Sequence, residues 1–207
     1  MIVPVEQQSP DWLAMRVGRV TGSRVADVMA KLAKKDAEAA CRRQYKFELV
    51  CEMLTGLSAL HFVSPAMQWG IDNEKYARSA YEMELDVEID LAGFAIHDRI
   101  PRFGASPDGL IGDDGVVEFK CPNTDTHIGY ILADEVPEAY RPQMLAEMAC
   151  TGRQWCDFVS FDPRLPKHLQ LFVKRFQRDE VAIAAMELEV EKFLAEVDDL
   201  LAKLKEK

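Results

Sequence analysis

Apolar residues recur along this chain at two periods, and the switches between them lay out its elements. Ser9-Pro10-Asp11 has the chemistry of a helix start: a capping hydroxyl, a proline at the first helical position and an acid in the first turn. Trp12, Leu13, Met15 and Arg16 follow, and Gly18 ends the segment. Thr21-Gly22-Ser23 marks a second start, leading into Val25, Val28, Met29 and Leu32 at helical spacing. A third helix grows out of a basic stretch and runs through Met53 to Gly56; a fourth opens at Ser64-Pro65, with Met67, Ala77, Ala80 and Tyr81 as its buried stripe. Asp86 to Leu91 alternates strictly, which predicts a half-buried strand, and Gly93 to Ile100 predicts a second. Gly104 to Pro122 reads as strand, tight turn at Gly112-Asp113-Asp114-Gly115, then strand.

Beyond Pro122 the pattern predicts a helix around Ile128–Leu132 and an amphipathic helix from Gln143 to Cys150. Trp155 to Phe161 and Leu169 to Phe176 read as strands, joined by turn chemistry at Asp162-Pro163 and Leu165-Pro166. Asp179 to Lys207 is one long helix whose apolar seam (Ile183, Met186, Val190, Phe193, Val197, Leu200, Leu204) alternates spacings of three and four. That seam suits packing against the body, with a subunit contact as the alternative. No repeat or low-complexity linker interrupts residues 1–207, so the expectation is a single domain. Its expected class is α/β, a central mixed sheet of about five strands with helices on both faces.

Composition narrows this picture only slightly. The length of 207 residues suffices for a real core without disulfides. No apolar run approaches a membrane span and the first residues lack a signal peptide, so the expectation is a cytoplasmic protein with no membrane partner. The five cysteines form no CxxC pair and the four histidines have no zinc-like spacing, which points to buried thiols in a reducing compartment. The formal charge of −10 is unevenly spread: the first fifty residues carry nine Lys/Arg against six acids, and residues 51–150 carry six against eighteen. A basic region beside an acidic middle is compatible with DNA on one side and metal on the other, and equally with a solvated acidic surface.

The candidate chemistry centres on Gly104–Pro122. Asp108 stands at the Ser-Pro-Asp-Gly turn, with Glu118 ten residues on and Lys120 two beyond that. Alternation puts Glu118 and Lys120 on one face of their strand, with Val117 and Phe119 on the other. Two carboxylates with the Phe119 carbonyl between the second acid and the lysine are oxygen donors of the kind hard divalent ions choose. Lys120 is placed to orient a water or neutralise charge in phosphodiester hydrolysis. Taken alone, a Glu-x-Lys strand beside an acidic turn is also an ordinary solvent-facing edge. Glu74, in its helix, reads as a surface residue unless a larger pattern claims it. Near the N-terminus, Arg16, Arg19, Thr21, Ser23 and Arg24 crowd around a helix start that suits phosphate, though Ser and Thr are also plain caps. Lys31, Lys34, Lys35, Arg42, Arg43 and Lys46 are either a nonspecific DNA-backbone contact or a solvated helix face.

Ser-Pro-Asp-Gly-Leu followed by Val-Glu-Phe-Lys-Cys-Pro resembles the active-site signature of the lambda-exonuclease (YqaJ-type) viral recombinases. These belong to the restriction-endonuclease-like PD-(D/E)xK nuclease superfamily. The resemblance extends through Trp12 to Ser23, Trp69-Gly with Asn73-Glu74 and Arg78, then Gln143, then Phe161-Asp162-Pro163-Arg164, in the family's order. The proline here directly precedes the first acid, as Pro107-Asp108.

The resemblance implies a restriction-endonuclease-like fold with Asp108, Glu118 and the Phe119 carbonyl as metal ligands. Lys120 becomes the catalytic lysine, and Glu74 an acid that helps hold the metal and its waters. Arg16, Ser23, Ser106 and Gln143 match positions that bind the 5′-phosphate of the digested strand, while Trp12 is either a support for that pocket or a core tryptophan. It implies a processive 5′→3′ exonuclease on linear double-stranded DNA, using Mg2+ (with Mn2+ as a substitute) with two ions per active site. That enzyme would be a ring-shaped homotrimer, phage-encoded in a bacterial host cytoplasm, handing a 3′ single strand to a phage single-strand-annealing protein. The alternatives are an endonuclease or resolvase on the same fold, and a catalytically silent DNA-end-binding module.

Overall fold

The structure is a computed structural model that describes residues 1–31, 38–59 and 64–207. Leu32, Lys34 and Lys35, placed by the pattern in the second helix and the basic run, lie outside the described residues.

Strand β1 (Ile2–Val3) leads to helix α1 (Pro10–Arg16), where the Ser9 side chain accepts from the Trp12 N–H as the cap chemistry requires. Strand β2 (Val20–Thr21) and a single 3-10 turn then enter the short helix α2 (Val25–Met29). Helix α3 (Ala40–Thr55) ends at Gly56 with φ of 69°, and α4 (Pro65–Leu85) begins on its Ser64 cap. Next come β3 (Ile89–Asp90), β4 (Phe94–Ile96), β5 (Phe103–Ala105), β6 (Gly109–Ile111) and β7 (Gly115–Lys120). Helices α5 (Thr124–Ala133) and α6 (Arg141–Thr151) precede β8 (Trp155–Phe161), β9 (Leu171–Gln177) and α7 (Glu180–Lys205).

The strands form two mixed sheets. The larger has the order β3-β6-β7-β8-β9, with β7 and β8 parallel, and is the five-stranded sheet expected from the sequence. A smaller sheet, β1-β4-β5-β2, was not expected. Along β7, Val116 joins a core with Met144, Met148, Phe158, Met186 and Phe193, whereas Val117 and Phe119 join a second with Ala77, Tyr81 and Val159. Thus α6 and α5 cover one side of the larger sheet and α4 the other, with α7 packed against α6. The α7 seam packs against α2, α3 and α6, in line with the body-packing alternative, but Leu204 at its end is exposed.

Several sequence expectations need correction. Only Ile89–Asp90 of the Asp86–Leu91 run pairs, because α4 continues to Leu85 and Asp86 closes it in the left-handed region at φ of 52°. Met67 is exposed rather than part of the buried stripe, and the thiols of Cys41 and Cys51 are exposed on α3. The first strand of the Gly104–Pro122 ribbon is broken: β5 belongs to the smaller sheet and β6 to the larger, so Ser106-Pro107-Asp108 bridges the two. Glycine lets β3 approach β6 closely, since a Cβ on Gly109 would lie 2.1 Å from Ile89 Cγ2. Arg42 and Lys46 are committed to ion pairs with Glu38 and with Glu196 of α7, which favours a structural role over the backbone-contact alternative.

Candidate active site

The break between β5 and β6 is what positions Asp108. The β6–β7 ladder ends at Gly109 opposite Val117, and beyond it the Phe119 N–H donates to Asp108 Oδ2 at 2.7 Å. Arg78 of α4 donates to the Asp108 carbonyl at 2.6 Å, and Gln7 Nε2 donates to the Pro107 carbonyl at 2.9 Å. The bridging segment is therefore tied down from both sides, and its acid lies against the strand that carries Glu118 and Lys120.

Glu118 is almost wholly buried at 2% exposure, so its carboxyl oxygens must find their partners inside the protein. Its Oε1 accepts from Lys120 Nζ and from Gln143 Nε2, the latter at 2.6 Å. Its Oε2 is buried with no hydrogen-bond partner among the described residues. Burial disfavours the Lys120 ammonium, but Glu118 and Asp108 outweigh it and hold the lysine charged above its ordinary range. The Tyr140 ring lies 5.0 Å from Nζ and walls the other side. Burial first, then the carboxylates of Glu118 and Glu74, pushes Asp108 well above the usual carboxylate range. Glu74 is raised by burial and by Glu118, against the lowering influence of Arg78, whose Nη2 is 3.9 Å from Glu74 Oε1.

Asp108 and Glu74 are thus both raised, by burial and then by their acidic neighbours, beside an unsatisfied carboxyl oxygen of Glu118. A hard cation would relieve both conditions, so the donors fit a divalent ion. Among the described residues no three acidic, imidazole or thiol groups converge into a ready-made cage. Asp108 and Glu118 would need the Phe119 carbonyl and water to complete a shell, which is the habit of Mg2+.

The second group of sequence-singled residues gathers around α1. Arg16 lies 4.1 Å over the Trp12 ring, and Trp12 Nε1 donates to the Ser106 hydroxyl at 2.8 Å. Arg16 and Ser23 line one cavity of about 280 Å³, together with Arg19, Thr21 and Tyr45. Burial, with a smaller contribution from Arg24, depresses the Arg16 pKa against the opposing influence of Tyr45 and of Glu52, which also lines the cavity. Arg24 itself is paired with Asp27 and Glu48. Of the four phosphate-position residues, Arg16 and Ser23 share the cavity and Ser106 is joined to it through Trp12. Gln143 instead turns its amide to Glu118 and Glu147.

Glu147 escaped the sequence reading. It is 1% exposed, accepts from Gln143 Nε2 at 2.9 Å and receives the Cys156 thiol at 3.7 Å; burial, then Glu118, raises its pKa well above normal. Its signal was an acid one helical turn after Gln143, beside a stripe that carries Met144 and Met148. The distant residues of the resemblance also meet: Arg164 lies 4.3 Å over the Trp69 ring while binding Asp162 through two nitrogens.

A mixed sheet thus brings two acids and a lysine to its central ribbon, with a third acid from a flanking helix, a donor set suited to a hard divalent ion. Residues 11–154 match the family model of the YqaJ-like viral recombinase domain. The chain belongs to that family. It is similar at 47% identity, over 96% of its length and 97% of the other's, to the alkaline exonuclease LHK-Exo from Laribacter hongkongensis, with a TM-score of 0.89; the same figures hold for LHK-Exo in complex with dAMP. A phage-related exonuclease from Haemophilus somnus 129PT shares the fold at a TM-score of 0.68 and 15% identity, over 90% of this chain and 96% of that one. A comparison with curated protein sequences returned no match. Among the described residues no helix is long and apolar enough to cross a membrane.

Proposed function

We propose that this chain is a divalent-metal-dependent DNA exonuclease that degrades linear duplex from 5′-phosphorylated ends, 5′ to 3′, and leaves a 3′ single strand for recombination by annealing. The observation that carries it is the buried, unpartnered Glu118 Oε2 beside the charged Lys120, with Asp108 fixed across the ribbon. Membership of a viral recombinase family and likeness to an alkaline exonuclease supply the substrate class.

In this reading Asp108, Glu118 and the Phe119 carbonyl hold Mg2+ or Mn2+, and Glu74 faces the same cluster. A bound ion would polarise the phosphoryl oxygens and acidify water. Lys120, kept protonated by its acidic neighbours, orients the attacking water and neutralises charge gathering on the phosphate. Arg78 and Gln7 act by pinning the Ser106–Asp108 bridge. Arg16 and Ser23 receive the terminal phosphate, and the Trp12–Ser106 bond sets that pocket at a fixed distance from Asp108, two residues further along. Recognition of the end is thereby coupled to placement of the next phosphodiester. An Arg-lined end pocket is a feature an endonuclease would not need, which favours the exonuclease over the same-fold alternative.

The resemblance adds a ring-shaped homotrimer around DNA, an annealing-protein partner and action in a host cytoplasm, and these remain part of the proposal. Closed symmetry would account for processivity, because encircled DNA cannot leave between cuts. The test is digestion of linear duplexes that differ only in a 5′-phosphate or 5′-hydroxyl, each strand labelled separately, with Mg2+ or EDTA. Loss of label from the 5′-phosphorylated strand, only with Mg2+, is expected. Digestion from the 3′ end, or equal use of both ends, would refute the assigned direction.

A further inference from the structure

A glutamine amide has two nearly isosteric ends, and only its partners decide whether nitrogen or oxygen faces a given group. Gln143 Nε2 donates to Glu118 Oε1 at 2.6 Å and to Glu147 Oε1 at 2.9 Å, so both of its N–H groups are spent on carboxyl oxygens. A flipped amide would set its oxygen against both. We propose that Glu147 is a positioning residue that locks the Gln143 amide with its nitrogen toward Glu118, and so fixes the Glu118 carboxylate for its ion. This inference rests on the reading of Glu118 as a metal ligand.

Three observations support it. Glu147 and Gln143 lie four residues apart on α6, where side chains stack along one face, and Met144, Ala146 and Met148 around them are fully buried. The carboxyl is held at its far end as well, by Cys156 of β8, so the chain of contacts runs Cys156, Glu147, Gln143, Glu118, Lys120. A carboxyl at 1% exposure in an apolar core is costly, and a residue needed only for packing there would be apolar. The carboxyl is therefore retained for what it orients. The phosphate-position role that the resemblance gives Gln143 does not call for Glu147, whereas the lock on Glu118 does.

The test compares wild type with Glu147→Met and Glu147→Gln, the first removing the acceptor at similar volume and the second keeping an acceptor oxygen. Read together are Tm, Mg2+ affinity of the protein alone by calorimetry, and kcat and KM on 5′-phosphorylated duplex. E147M is expected to keep its Tm and its KM for DNA ends, while kcat and Mg2+ affinity fall about tenfold, the low end for losing a residue that supports a metal ligand; E147Q should recover most of both. An E147M protein with wild-type kcat and Mg2+ affinity would overturn the inference and leave the proposed function standing. A fall in Tm that E147Q repairs would also overturn it, since the carboxyl would then serve the fold. Wild type that neither binds Mg2+ nor digests duplex would instead remove the function on which the inference depends.

Discussion

Trp12 of α1 donates its indole N–H to the hydroxyl of Ser106, 94 residues along the chain, while Arg16 lies against the same ring. One tryptophan thus ties the cationic cavity to the segment that carries Asp108. Two groups of residues far apart in the sequence are joined through a single hydrogen bond and a stacked guanidinium.

That link makes Arg16 and Trp12 separable. Arg16→Ala removes a charge-assisted contact and should lower kcat/KM on 5′-phosphorylated ends by roughly 10–100-fold, with little change on 5′-hydroxyl ends. Trp12→Phe keeps the ring under Arg16 and loses only the N–H, so the drop should be about fivefold. Initial rates on paired substrates check both; equal losses on the two ends would mean that Arg16 does not read the phosphate.

The acid cluster has a signature in the metal-free protein. Asp108 titrates well above its ordinary value because burial, Glu118 and Glu74 oppose its charge. Its ionisation therefore costs stability as pH rises through the range above the unfolded carboxylate value of about 3.9. In EDTA at neutral pH, Asp108→Asn should raise Tm. Adding Mg2+ should stabilise wild type by mass action and leave the Asn variant nearly unmoved. Thermal scans with and without metal decide this, and an unshifted wild type would count against the ion.

Asp162 shows the opposite sign. Burial works against its charge, but the bonds from Arg164 and Thr124 outweigh it and bring its pKa down to about 2. Its contribution is present above the unfolded value of about 3.9 and is lost as pH falls toward the folded one, at most about 2.6 kcal/mol. Urea unfolding between pH 5 and pH 2 should show that loss in wild type and a smaller one in Asp162→Asn. Parallel curves would mean that the Arg164–Asp162 pair does not hold the proton off.

Much of this was legible where local chemistry decides. Ser9-Pro10 and Ser64-Pro65 open helices as their caps require, and alternation along β7 sets Glu118 and Lys120 apart from Val117 and Phe119, which pack in the α4 core. What failed depends on long-range pairing. Nothing local tells that Ala105 and Gly109 join different sheets, yet that break aims Asp108 at the Phe119 N–H. The Asp86–Leu91 alternation misled because a helix overran its start and only two residues found a partner strand. Glu147 was missed because acids on helices usually face water, and only the packing of α6 against β8 buries this one.

Release of acid-soluble nucleotides from linear 5′-phosphorylated duplex in Mg2+, by wild type, Glu118→Gln and Lys120→Ala, decides whether Asp108, Glu118 and Lys120 form a catalytic centre. Wild type should digest the DNA and EDTA should stop it, while each variant falls by about 100-fold or more, the scale of losing a group that stabilises transition-state charge. A wild type that releases nothing, or variants that keep its rate, would contradict a catalytic centre at Asp108, Glu118 and Lys120.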